Sequence, residues 1–278
     1  MFKRIASMFA FAAVVWSSLA APAWSQSEAT QVLVTPRFWY AFISSADRTV
    51  TGASVQHTPI PLYGGTIAVI PKGMGGTTFS LTALYGNGGG DYQEGDYSCC
   101  LYRGTNDLSR LDIEGAAQFP IGPSGAYWSL GARYVKTDSE SFGRDDHGPP
   151  ALMMHDPFKF VAHGNYYLGE VGVGGSTRLD AKGSHRFFGG LTFVAGQRQV
   201  DTWAVCCQGS GGFSDSGSFG VAVAGIDTNF GYAVSLGPQS TFFARYRVFA
   251  LTELHRFSSP ESLSIVHGPE LNLTFNLN

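Results

Sequence analysis

Apolar and polar residues change places at every step in Glu270-Leu271-Asn272-Leu273-Thr274-Phe275-Asn276-Leu277-Asn278. A period of two sends the leucines and Phe275 to one face of a β-strand and the asparagines and Thr274 to the other. Segments of this kind recur along the chain and predict ten strands, at 31–44, 60–71, 76–86, 108–121, 125–138, 163–180, 186–199, 217–236, 240–253 and 263–276. The connections sort by length. Four are tight and rich in turn residues: Lys72–Gly76, Gly122–Gly125, Ala181–His185 and Gly237–Gln239. The other five, 45–59, 87–107, 139–162, 200–216 and 254–262, are longer and alternate with the tight ones without exception.

A soluble β-sandwich uses similar alternation but has no reason to sort its connections. A membrane-spanning barrel does, with short turns on one side and long loops on the other, and an even strand number. The expected fold is therefore all-β: a ten-stranded antiparallel up-and-down transmembrane barrel.

Composition agrees with that fold and narrows the location. Lys3 and Arg4 precede an Ala-rich apolar run ending near Ala21-Pro22-Ala23 and Ala23-Trp24-Ser25. These are the parts of a cleaved secretory signal peptide, expected over 1–25 with the barrel domain over 26–278. The run is short for a membrane anchor, which takes about 20 residues. Without the leader's two cations the net charge moves from −3 to −5, no footprint for nucleic acid. Later in the chain no apolar stretch is long enough for a spanning helix, which leaves a closed barrel as the way through lipid. The 36 glycines and 14% aromatic residues suit tight turns and interfacial girdles.

Alternation also assigns faces. Leu111, Ile113, Ala117 and Phe119 point to lipid, and Arg110, Asp112, Glu114 and Gln118 point inward. Carried through the strands, the phase collects Arg37, Arg110, Arg133, Arg178, Arg198, Arg245 and Arg247 with Asp112, Glu114, Glu170, Asp227 and Glu270 as a lumen-lining set, Arg198 near the outer rim. Near-balance of charge in a narrow space implies an ion-pair network. The surplus of arginine leaves open a narrow, anion-preferring passage.

On the alternating segments, the sorted connections and the C-terminal strand, the chain after its leader resembles the Gram-negative outer-membrane β-barrel proteins. In that class the final strand serves as an assembly signal and ends on an aromatic residue; here Phe275 is followed by Asn276-Leu277-Asn278. The resemblance implies a multi-pass outer-membrane protein. Its partners would be outer-membrane lipids, lipopolysaccharide and the barrel-assembly machinery during biogenesis. A monomer is expected.

Cys99-Cys100 and Cys206-Cys207 fall in the second and fourth long connections. An even count in an oxidising compartment reads as disulfides, with bridges between the two loops preferred over strained rings within each pair. Adjacent cysteines fit zinc-ligand spacing poorly. The third long connection holds Asp145-Asp146-His147 and Met153-Met154-His155-Asp156, with His163 beyond. It has a superficial similarity to the omptin-like surface proteases, which implies water activation by acids and histidines. His255 with Ser258 or Ser259 is the nearest candidate for an esterase couple and carries no oxyanion signature. Met153, Met154 and His155 are soft-metal candidates, or an apolar patch packed on the rim. Gly86-Asn-Gly-Gly-Gly-Asp91 lacks a phosphate loop's ending and reads as a flexible loop start. The functional expectation is a non-enzymatic barrel, either a narrow porin-like channel or a structural or surface-interaction protein, without cofactor or metal. A barrel hydrolase is the alternative.

Overall fold

The computed structural model describes residues 29–47, 54–95, 100–122, 125–147, 154–206, 213–254 and 263–277. The leader, Cys99, Cys207, His255, Ser258, Ser259 and Met153 lie outside these residues, and so do the side chains of Cys100 and Cys206. The expectations resting on them, disulfide pairing included, therefore lie outside the described residues.

Ten strands follow in order: β1 (Gln31–Asp47), β2 (Ser54–Ile70), β3 (Thr78–Gly95), β4 (Cys100–Ile121), β5 (Ala126–His147), β6 (Met154–Arg178), β7 (His185–Cys206), β8 (Phe213–Gly237), β9 (Ser240–Glu253) and β10 (Leu263–Asn276). Each pairs antiparallel with its sequence neighbours, and β1 pairs with β10, so the sheet closes into a barrel. Closure leaves no free edge, as lipid requires.

Short turns gather at one end. Gly73, Gly75, Gly76, Gly122, Gly125 and Gly183 there adopt positive φ, a conformation glycine takes without a side-chain penalty. In an outer-membrane barrel this is the periplasmic end. The outer face between the ends is apolar, with Ile67, Leu81, Leu130, Val171, Phe193, Phe230 and Leu271 all exposed. Aromatic pairs flank it. Phe119 stacks on Trp128 at 4.2 Å toward the short-turn end, and Tyr134 meets Tyr167 at 5.4 Å toward the other.

The strands are longer than alternation predicts. About 9–11 tilted residues cross a bilayer, whereas β4, β5 and β7 have 22 residues and β6 and β8 have 25. Most of the predicted third loop is paired strand: Asp145 lies opposite Asp156, Asp146 opposite His155 and His147 opposite Met154. Gly86–Asp91, read as a loop start, belongs to β3 and pairs with β4 from Arg110 to Thr105. The physical reason is that strands leaving the membrane have polar residues on both faces. Pairing continues there while alternation disappears. The glycines at 86 and 88 also have a local cause. A Cβ would stand 2.0 Å from the Pro61 carbonyl oxygen and 2.1 Å from that of Pro59, so only glycine lets the upper part of β2 lie so close.

The β1–β10 seam is an interrupted ladder. Its register skips Thr35-Pro36 and Tyr40-Ala41 on β1, and Gly268-Pro269 and Leu273-Thr274 on β10. Proline has no N–H to contribute. At Gly268 (φ +155°) a Cβ would fall 2.1 Å from the Tyr40 carbonyl oxygen, so the close approach at this seam needs glycine. The Thr35 and Thr274 hydroxyls, 2.7 Å apart, bridge it from inside.

Candidate functional site

The interior is built in two layers. The first comes from the alternating charged positions. Glu270, fully buried, accepts from Arg37 Nε on one flanking strand at 2.6 Å and from Arg245 Nε and Nη2 on the other at 2.8 and 2.9 Å. Arg37 Nη1 also donates to the hydroxyls of Thr66 and Thr82, each at 3.2 Å. Arg133 holds Asp112 through Nε and Nη2 and reaches Asp227 through Nη1 at 2.6 Å. Arg247 binds Asp227 through Nε at 3.0 Å and again through Nη2, which also lies 3.4 Å from Glu114. Arg110 Nη2 donates to Asp112 at 3.2 Å.

Two of these links fix the location. Arg133 on β5 and Asp227 on β8 are separated around the ring by β6 and β7, and Arg247 on β9 and Glu114 on β4 lie farther apart still. Such partners meet only across the inside of the barrel. Five arginines and five carboxylates share this layer, so the predicted surplus of arginine does not arise within it. Arg198 is held elsewhere: its Nη1 donates to Glu253 Oε1 at 2.6 Å nearer the outer rim. Glu253 is an acid that the face assignments passed over. Arg178, at the periplasmic end of β6, is exposed, near Gly183 of the turn.

The second layer is apolar and was not expected. Toward the extracellular end the inward positions above the charged layer include Trp39, Leu62, Leu84, Leu108, Val135, Leu168, Val194, Val223, Phe249 and Val266, one from each of the ten strands. All are buried, with Trp39 and Leu62 at 0% exposure. Ala41, Ile60, Tyr166 and Leu251 thicken the same cluster. Contacts between guanidinium and ring join the layers: Arg133 lies 4.2 Å from the centroid of Phe249 and Arg247 5.0 Å from that of Trp39. Trp39 Nε1 donates to the Gly268 carbonyl at 3.3 Å, so the one polar atom of that side chain is satisfied. Barrels of about eight strands are filled by their own side chains, and in this ten-stranded ring side chains from every strand meet in the apolar layer.

Of the acids and histidines considered for chemistry, His163 is the one whose side chain is described. His163 Nδ1 is 2.7 Å from Asp138 Oδ1, but the pair stands exposed on the outer wall beside Lys136, whose Nζ is 3.0 Å from Asp138. Of residues 144–147 and 154–158 the strand pairing is described and the side chains are not. Among the described residues no group of three or more His, Cys, Asp or Glu could hold a metal ion.

Comparison with known proteins gives no match to a protein-family profile and none among curated sequences. Solved structures do match. The outer membrane protease OmpT from Escherichia coli superposes with a TM-score of 0.55 at 8% identity, covering 89% of this chain and 97% of that one. The translocator domain of the autotransporter NalP from Neisseria meningitidis gives 0.42 at 11% identity, covering 99% and 96%. The Pseudomonas putida toluene transporter TodX gives 0.39 at 8% identity, covering 94% and 93%. At such identities the likeness concerns the fold alone. By that fold, and by the lipid-facing band described above, the chain is a ten-stranded outer-membrane β-barrel.

Proposed function

We propose that this barrel is a non-enzymatic, non-conducting outer-membrane protein that works through its extracellular strand extensions as a structural or surface-interaction protein. One observation carries the reading: all ten strands contribute to a buried apolar layer that lies across the interior. A hydrated ion crossing it would shed its water with no polar group in exchange, which is the opposite of a selectivity filter. The charged layer beneath adds no open path, because its arginines are committed to carboxylates on both sides of the lumen. The narrow porin-like channel is therefore the weaker half of the sequence-based expectation.

The test is single-channel recording of refolded mature protein in a planar bilayer, with and without reductant. Silence from folded protein in both conditions is the expected result. Steady conductance would overturn the reading.

A hydrolase remains a second reading because the β5–β6 pairing sets Asp145 opposite Asp156 and Asp146 opposite His155 above the membrane. OmpT, which shares the fold, is a protease. Simultaneous Asp145→Ala, Asp146→Ala, His147→Ala and Asp156→Ala substitution decides it. Cleavage of a basic peptide panel by the wild type and not by the quadruple variant would replace the non-enzymatic reading.

A further inference from the structure

The charged layer is neutral in total and uneven in detail. Asp112, Asp227 and Glu270 each accept from two arginines. Glu114 has one cation, at 3.4 Å, and Glu170 has none within hydrogen-bond reach, its nearest being Arg133 Nη1 at 3.7 Å. The Glu170 side chain is only 5% exposed and its Oε1 meets no donor. A buried carboxylate oxygen without a donor forfeits its hydration and gets nothing back. Arg133 is poorly placed to help, since Nε, Nη1 and Nη2 all serve Asp112 and Asp227 at 2.7 Å or less.

Glycines and hydroxyl side chains surround Glu170 on the inner wall. A Cβ on Gly131 would lie 3.3 Å from Glu170 Oε2, and one on Gly172 would strike the hydroxyls of Ser129 and Thr192 at 2.7 and 2.6 Å. Glycine at 131 leaves room for the Glu170 carboxylate, and glycine at 172, the next inward position on β6, leaves room for the two hydroxyls. Access comes from the periplasmic end. The Glu114 side chain is 24% exposed, whereas Glu170 and the apolar layer above are closed off. Closer to that mouth Phe188 and Phe243, in edge contact at 5.5 Å, supply an apolar wall.

We infer that the periplasmic half of the lumen is a binding site for a primary ammonium group on a slender apolar stem, held by Glu170 and Glu114. An ammonium has three donors, which matches two carboxylates and a hydroxyl of Ser129 or Thr192. A divalent metal is a poorer occupant, because no cluster of three ligating side chains is present among the described residues. The stem lies against Phe188 and Phe243. The group can arrive on a free linear amine or on a lysine side chain of a periplasmic peptide. A conducting barrel would carry this site equally well, so it stands or falls separately from the sealed lumen.

The experiment is isothermal titration of cadaverine, a linear diamine, into the refolded full barrel in detergent at low salt. One saturable site is expected, weakened at least tenfold by Glu170→Gln and by Glu114→Gln, with no binding of the neutral diacetylated diamine. N-acetyl-lysine amide is run beside it. Binding of that compound as well assigns the site to a peptide-borne lysine, and binding of cadaverine alone assigns it to a free amine. Absence of binding by both, unchanged affinity in the two variants, or equal binding of the neutral compound overturns the inference. Folding of each variant is checked by its mobility on unheated gels. If Glu170→Gln does not fold, Glu114→Gln decides, because its side chain is the less buried.

Discussion

The charged and apolar layers fill adjacent slices of one barrel by different physics. In the charged layer every side chain but Glu170 has hydrogen-bonded partners at fixed geometry, so removing one leaves others short of a partner. In the apolar layer the contacts are interchangeable and volume matters most. The charged layer therefore sets which strands face one another across the lumen, and the apolar layer keeps water out.

Substitution should separate the two. Arg133→Ala takes one of two arginines from each of Asp112 and Asp227 and should cost about 3–5 kcal/mol, the penalty for breaking a buried pair, in urea unfolding from lipid vesicles. A loss below about 1 kcal/mol would make the layer equivalent to surface ion pairs and erase the distinction. Leu62→Ala should cost about 2–5 kcal/mol through the cavity it leaves, and Leu62→Met less than about 1.5 kcal/mol because volume is kept. Equal losses from these two would mean that shape matters in the apolar layer as much as partners do in the charged one. On the outer wall, Lys136→Ala breaks an exposed pair with Asp138 and should leave stability nearly unchanged. A larger effect would show that position inside the barrel is not what gives ion pairs their weight.

The smallest effect concerns the periplasmic turn. Asp180 Oδ1 accepts from the His185 backbone N–H at 2.9 Å, and this bond holds the carboxyl below its usual range. A depressed folded value contributes stability above the unfolded pKa of about 3.9 that is lost as pH falls through the folded value. Acidification below about pH 4 should thus remove a small increment from the wild type that Asp180→Asn lacks. Parallel acid profiles for the two proteins would refute it.

The same contrast explains what could be read in the sequence. The charged layer was legible because its strands alternate sharply, as in Arg110-Leu-Asp-Ile-Glu114, with lipid demanding one face and the lumen taking the other. The apolar layer was not legible. Where the lumen is also apolar both faces are alike, and Phe38-Trp39-Tyr40-Ala41-Phe42 or Val248-Phe249-Ala250-Leu251 shows no alternation at all. The extracellular extensions were hidden for the converse reason, both faces being polar. Strand number and pairing order survived because the turns announce themselves through glycine and proline. The uneven partnering of Glu170 could not be foreseen, since it depends on which donors Arg133 spends across the lumen.

The skipped rungs between β1 and β10 have a consequence for biogenesis. Until the ring closes, these two strands are open edges, and an open edge is a template for another chain. Pro36 and Pro269 each take a donor out of an edge, so the unclosed sheet makes a poor seed for aggregation. A seam that looks weak in the finished barrel protects the chain on its way to becoming one.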